Sequence, residues 1–568
     1  MNYSPENADP AAAPPGGFSA VETFRESLDQ IVVAFILAFV FRAFVVEAFI
    51  IPTGSMAPTL YGEHGSVTCS DCGYAFAYGL SYYTNGSTSI GPEAKAVCPN
   101  CRHENTPLRF NDRERRTESG DRILVLKWPL DLGLDALKLK RWDVVVFKDP
   151  RDGTTNFIKR LIGVPGEVLG LIDGDVYAVP TAELSEQARR HLEAFLARKT
   201  DFQAKLDSGT RLDPLPASVY AELDAKWRIV PKTSRAQDAL WMIVYDDDFR
   251  PRKWNTRDPQ PRWEPMNERS GWDLSQRTLR FDGTASSEAD GIELRHITLD
   301  DNYGYNLSGQ GTRPVEDMRV QFLLTPASAT GDLQVTLTKL GVDWTATLGL
   351  DGKMRIEGTR EGHSVAEALE GQTDALEPGR PVMVSFELVD YRAVLRVGDR
   401  EALATTEAVL RPELPALREM FDRRILPTPR SPRVFGRGAT FELRHLAVHR
   451  DVYYTTPQID GHNVPHGSVF RYVGVWGSPR NPILLRPGEH FCLGDNNPQS
   501  QDSRMWTEVG PHLVGRGAKY QLGTVAEDQL IGQAFFVYWP SGHRLSDRIA
   551  LLGRFGIIPN VGDMRWIR

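Results

Sequence analysis

The sequence predicts a mainly β protein with an N-terminal apolar helix and two inserts, one small and cysteine-bearing, the other large and strand-rich. Three observations carry this. Short Ile/Val-rich runs bounded by Gly and Pro recur from Arg122 to Val164. Alternating segments follow one another between about 270 and 450, among them MRVQFLLTP, DLQVTLTKL, VMVSFELVD and TFELRHLAVHR. Such period-2 strands at short spacing imply a sandwich or barrel. Finally, Ile31 to Phe41 is uninterruptedly apolar.

Taken in order, residues 1–29 open with Pro/Ala/Gly-rich text (PENADPAAAPPGG) and read as a disordered tail. Residues 30–51 read as a transmembrane anchor. The uninterrupted run is shorter than the roughly 20 residues a spanning helix needs, so the reading requires Arg42 to snorkel to the interface. A cleaved leader fits poorly, because Glu22, Glu26 and Asp29 precede the run and no small-x-small site follows. Residues 52–180 form the first part of a β domain, interrupted at about 66–105 by the cysteines. Residues 181–269 read as a helical or mixed insert, with Leu184, Ala188, Leu192, Phe195 and Leu196 at helical spacing. Residues 270–455 read as a jelly-roll-like β-sandwich insert, and 456–568 as the second part of the parent domain. Within the sandwich, Trp344 and Tyr391 read as core aromatics rather than a sugar-stacking platform.

Among 568 residues, 66 Lys and Arg stand against 74 Asp and Glu, a net charge of −8. That balance argues against nucleic acid as a main partner, since phosphate binding needs clustered cations. Cys69-x2-Cys72 and Cys98-x2-Cys101 form two knuckles that can together offer four thiolates to one tetrahedral Zn²⁺. The alternative is a pair of disulfides, which an extracytoplasmic location would permit. No catalytic metal site or other catalytic cofactor is indicated. Cys492 is the odd thiol, in an apolar context that suggests an inert buried residue.

Chemistry concentrates in three segments. Pro52-Thr-Gly-Ser-Met-Ala-Pro-Thr-Leu60 presents Ser55 in a Gly/Pro-punctuated turn just past the apolar run. Phe157-Ile-Lys-Arg-Leu-Ile-Gly-Val-Pro-Gly166 places Lys159 in a strand otherwise filled with apolar residues. A lysine acts as a base only when neutral, and burial favours that form. Gly494-Asp-Asn-Asn-Pro-Gln-Ser-Gln-Asp-Ser-Arg504 is dense in hydroxyls and acids and ends in an arginine. Each alone also reads as an ordinary turn or strand.

Together with Gly120–Val125 (GDRILV) and Arg141–Phe147 (RWDVVVF), these blocks resemble, in chain order, the bacterial type I signal peptidases. The resemblance covers residues 30–170 and 456–540. It implies a signal-peptidase-type β-fold and a membrane-bound serine endopeptidase, a Ser/Lys leader peptidase, in the cytoplasmic membrane. The enzyme would be single-pass, with its catalytic domain on the extracytoplasmic side. Its substrates would be exported preproteins cut after a small-x-small sequence, and lipid its surroundings. Ser55 would be the nucleophile and Lys159 the base. Ser500 would hydrogen-bond the lysine, while Asp495, Asp502, Arg160 and Arg504 would hold the loop. The Ser55 N–H and the Thr53 hydroxyl would form the oxyanion hole. Two positions depart from the family pattern: Thr53 where many members have Ser, and Asn497 where Arg is common and a loop contact is expected to be lost. The insert, lying between base and last block, is expected to supply no catalytic group and to be replaceable by a short linker over 270–450. Its partner is not indicated. The rival readings are a soluble Ser/Lys self-cleaving hydrolase and a non-catalytic tethered binding protein.

Overall fold

The computed structural model describes residues 20–79, 96–105, 117–127, 139–205, 215–252, 260–285, 287–306, 313–406, 409–454, 475–506, 510–516, 520–540 and 560–568. The first nineteen residues of the expected tail lie outside them, and so do residues 455–474.

The helix Ala20–Phe44 begins inside the stretch read as tail. It ends seven residues before the expected end of the anchor at 51, because Val46–Ile50 is a strand paired antiparallel with Arg122–Leu126. Val46 and Phe49 are β-favouring residues, and Glu47 reaches Lys127 at 3.3 Å, so the sheet outcompetes a continued helix. The helix keeps its apolar side chains in the open: Phe24, Ile31, Phe35, Leu37 and Phe39 are all exposed. Among the described residues, no helix is long and apolar enough to cross a membrane.

The main sheet of the parent domain has the spatial order Val46–Ile50, Arg122–Leu126, Leu530–Trp539, Val144–Lys148, Asn156–Gly163, Glu489–Leu493, Val525–Ala526. Its neighbours are antiparallel throughout. Both faces are covered. Val144 and Val146 pack with Met56, Leu60, Ile123 and Val125 on one side. Val145 and Phe147 pack with Leu161, Cys492 and Trp506 on the other. A sheet buried on both faces explains the unbroken VVVF run, where a half-exposed strand would alternate.

A second sheet, Arg228–Ile229, Asp175–Pro180, Glu167–Ile172 and Ile483–Leu485, carries helices Glu186–Lys205 and Ala217–Lys226 over its apolar side chains. The large insert is a pair of eight-stranded antiparallel sheets over one core, Val320, Phe322 and Phe386 facing Val335, Leu337 and Trp344. Met318–Pro326 alternates buried and half-buried residues along its whole length, as period 2 requires. The unit starts earlier than 270, since Met242–Asp246 pairs with Thr440–Arg450. Its Met242–Tyr245 text (MIVY) is an unbroken apolar run and carries no strand alternation to read. Trp344 and Tyr391 are each 2% exposed, so both are core residues.

The insert is not a separate body. Tyr303, Tyr391, Leu414 and Leu417 share one core with Leu169, Leu171 and Phe491 of the parent domain. Lys339 of the sandwich bridges Asp317 and, at 3.1 Å, Asp175 of the second sheet. Lys232 binds Asp390 at 2.6 Å and Asp451 at 2.7 Å, all three nearly solvent-free.

Candidate active site

Ser55 sits in a single 3-10 turn, Gly54–Met56, closed by the Ala57 N–H donating to the Gly54 carbonyl at 3.1 Å. The turn follows directly on the strand Val46–Ile50, which ties the serine to the sheet edge. Gly54 is required by close approach: a Cβ there would lie 2.1 Å from the Tyr305 ring. Lys159 extends from the Asn156–Gly163 strand, directly opposite Val145. The two meet: Lys159 Nζ lies 2.8 Å from Ser55 Oγ and 2.9 Å from the Ile158 carbonyl oxygen. Both residues are buried, Ser55 7% and Lys159 3% exposed.

Burial pulls the Lys159 ammonium down to about 8, against the opposing charges of Asp502 and Asp495. Those acids are themselves engaged elsewhere. Arg160 grips Asp495 with two parallel bonds, Nε to Oδ1 at 2.8 Å and Nη2 to Oδ2 at 2.7 Å, at zero exposure on both sides. Arg504 grips Asp502 in the same way at 2.8 and 2.7 Å. Asp502 also accepts from the Gly494 N–H at 3.0 Å. Bidentate pairing of this kind fixes orientation as well as charge. It leaves Lys159 among neutralised neighbours rather than beside a free carboxylate.

Two expectations about the loop need correction. The Ser500 hydroxyl is buried but, among the described residues, makes no hydrogen bond to Lys159 or to another group. It is packed instead against Gly494, where a Cβ would stand 2.2 Å from its Oγ. Asn497 is itself engaged: its amide donates to the Tyr453 carbonyl at 2.6 Å and its oxygen accepts from Arg504. Thr53 precedes the turn, exposed, with no side-chain bond into the turn's backbone.

Sequence reasoning missed Asn496. Its backbone N–H donates to the Ser55 carbonyl at 3.0 Å and its side-chain amide to the Gly54 carbonyl at 3.0 Å. It also missed the 301–306 segment, in which Tyr303 Oη donates to the Asp495 carbonyl at 2.8 Å and Asn306 pairs with Asn496. The adjacent tyrosines and asparagines of NYGYN were the only signal, and in isolation they read as a turn.

The four cysteines converge. Cys69–Cys101 and Cys72–Cys98 sulfurs are 3.6 Å apart, and all four lie within 4.8 Å of one another. Each knuckle has the same turn, with the Gly73 N–H on the Cys69 carbonyl and the Arg102 N–H on the Cys98 carbonyl, both turn residues at positive φ. A disulfide needs about 2.05 Å between sulfurs. A tetrahedron with metal–sulfur bonds of about 2.3 Å has edges near 3.8 Å, so the donor set fits a four-coordinate metal.

Compared with known proteins, the chain matches the profile of the family described as signal peptidase, peptidase S26, over residues 102–211 and 450–539. The match contains Lys159 and the Asp495–Arg504 loop, and its gap spans most of the large insert. The signal peptidase I of Rickettsia bellii (strain OSU 85-389) is 26% identical over 196 residues, 33% of this chain and 54% of that protein. That of Rickettsia akari (strain Hartford) is 30% identical over 142 residues, 25% of this chain and 38% of that protein. The chain thus spans about half, or less, of the relatives it matches. Among solved structures, the carbohydrate-binding module CBM66 from Bacillus subtilis is 10% identical with a TM-score of 0.23, covering 33% of this chain and 95% of that one. Sheep galectin-11 is 14% identical with a TM-score of 0.18, covering 24% and 94%. Likenesses of this size carry no argument about the insert.

Proposed function

The chain belongs to the signal peptidase family S26, and from that premise we propose that it is a membrane-attached serine endopeptidase that removes signal peptides from exported preproteins. The observation that carries the reading is the 2.8 Å contact between Lys159 Nζ and Ser55 Oγ in a buried setting. Neutral Lys159 takes the Ser55 proton, and the oxygen attacks the scissile carbonyl. The Ser55 N–H and the Thr53 hydroxyl receive the developing oxyanion, each such donor being worth about 2.7–4 kcal/mol. The Lys159 ammonium then protonates the leaving amine. Neutral again, Lys159 draws the proton from the water that releases the acyl group. The ion pairs Arg160–Asp495 and Arg504–Asp502 keep the loop and its charges fixed while Lys159 changes charge.

Cys69, Cys72, Cys98 and Cys101 hold a structural zinc, which supplies cross-linking and no chemistry to the peptide bond. The exposed apolar surface of Ala20–Phe44 is the membrane attachment, with the catalytic sheet on the extracytoplasmic side. A surface of that kind is costly in water and stable in lipid.

The test is cleavage of a model preprotein with a small-x-small site by the detergent-extracted chain. Wild type cleaves once, at the site. Ser55→Ala and Lys159→Ala each lose on the order of 10³-fold or more, because the two groups act as a unit. Normal turnover by either variant would remove the reading. Recovery of the chain in the soluble fraction without detergent would remove the attachment.

A further inference from the structure

The turn carrying Ser55 is held by residues far from it in the chain. Asn496 is wholly buried, and its side-chain amide has two N–H groups and one oxygen to satisfy. One N–H goes to the Gly54 carbonyl at 3.0 Å. The other donates to Asn306 Oδ1 at 2.8 Å, and Asn306 Nδ2 donates back to Asn496 Oδ1 at 2.8 Å. The backbone N–H of the same Asn496 holds the Ser55 carbonyl. Asn306, 4% exposed, therefore completes the side-chain amide that holds the Gly54 carbonyl, on the same residue whose backbone N–H holds the Ser55 carbonyl.

Asn306 itself is fixed by the insert. Its N–H closes a turn onto the Tyr303 carbonyl at 2.9 Å. Arg450, 1% exposed, lies over the Tyr303 ring at 4.7 Å and donates to the Asn302 carbonyl at 2.7 Å. Tyr303 reaches the Asp495 carbonyl, and the Tyr305 ring stacks on Tyr61 at 5.7 Å and covers Gly54. We propose that Asn306, carried on the 301–306 strap of the sandwich, is a positioning residue for Ser55, acting through the reciprocal amide pair with Asn496. This deepens the proposed protease reading and rests on it. Without Asn306, Asn496 keeps a buried N–H and a buried oxygen unpaired, and it relieves them by rotating away from Gly54. Ser55 Oγ then samples positions away from Lys159, while the lysine's own surroundings stay as they were.

The test compares Asn306→Ala and Asn306→Asp with wild type in the full-length chain. For Asn306→Ala we expect kcat on a model preprotein to fall at least about tenfold, with KM within twofold and the alkaline rise of the pH profile unmoved. Asn306→Asp is the discriminating variant. As a carboxylate it sets oxygen against oxygen at Asn496. Protonated, it restores one donor and one acceptor. Its activity relative to wild type should therefore rise as pH falls, whereas the Ala variant's ratio should stay flat. A purely packing role predicts flat ratios for both and would overturn the proposal, as would unchanged kcat in both variants. Hydrogen exchange in peptides covering 494–499 reads the same contact without any substrate. It should quicken at least about tenfold in either variant while exchange in the sandwich core stays unchanged. Unaltered exchange there would overturn the amide pair. If wild type cleaves no preprotein yet exchange responds as expected, the protease reading fails and the strap stands.

Discussion

In the proposed mechanism Lys159 is the base, so its protonation sets the pH dependence expected of the enzyme. Burial disfavours its ammonium and brings it to about 8, below the usual lysine value of 10.5. The sign follows directly. The active form is neutral, so activity rises with pH through about 8: about a tenth of the molecules are competent at pH 7 and about nine-tenths at pH 9. Stability moves in the same direction over a different window. The unfolded chain holds the extra proton up to about 10.5, so the cost of burying Lys159 is full below about 8 and fades between 8 and 10.5. A rate profile flat from pH 6 to 10 would count against Lys159 as base. Lys159→Arg should be inactive at every pH in that range, since a guanidinium does not give up its proton there. A slow but pH-independent Arg variant would instead show that charge at this position suffices.

The elements around the dyad differ in how far the sequence disclosed them. Ser55, Lys159 and the Arg160–Asp495 and Arg504–Asp502 pairs lie in short contiguous blocks whose order is itself informative, and all are within one cluster in the fold. Asn306 was invisible because its partner is 190 residues away and the contact has no spacing rule. The Ser500 bond was expected from resemblance; among the described residues Ser500 Oγ has no partner and is packed against Gly494 instead. Helix and strand competed at Val46–Ile50 with no composition change to mark the switch, so the apolar text read as one helix. The convergence of the four cysteines was legible, since two C-x2-C turns carry their own geometry, but the sequence left zinc and disulfides open. One prediction belongs to this element. Elemental analysis should return one zinc per chain, and four thiols should become titratable on its removal. The knuckle packs Tyr74 edge-on against Phe249 at 5.1 Å, and Asn100 bonds the Phe249 carbonyl at 2.8 Å. Metal removal should therefore speed hydrogen exchange around 244–250 while cleavage of a short peptide continues. Four non-titratable cysteines in a zinc-free chain would mean disulfides instead.

At the scale of the whole molecule, the insert is read from its contacts rather than its sequence boundaries. The alternating strands gave every reason to expect a self-contained sandwich, replaceable by a linker over 270–450. The fold places three kinds of contact across that boundary. Apolar side chains of both parts share one core. The strap carries Asn306 and Tyr303 to the loop that holds Ser55. Lys339 stands fully buried between Asp317 of the sandwich and Asp175 of the parent domain, and although burial works against its charge, those acids hold it above its ordinary value. Removing the sandwich would strand Asp175, 3% exposed, beside a freshly opened apolar face. Breaking a buried pair by removing one partner typically costs about 3–5 kcal/mol, a large part of a domain's stability of roughly 5–15 kcal/mol. We therefore expect the full chain to unfold as one cooperative transition, by calorimetry and circular dichroism alike. Lys339→Met should lower stability by about 3–5 kcal/mol while leaving Ser55 and Lys159 in place, so the folded fraction cleaves at the wild-type rate per molecule. A chain with 270–450 replaced by a short linker should fail even on a short peptide, and not merely on full-length preproteins. If that shortened chain folds and cleaves the peptide at the wild-type rate, the sandwich is a dispensable appendage and the strap has no hold on the nucleophile.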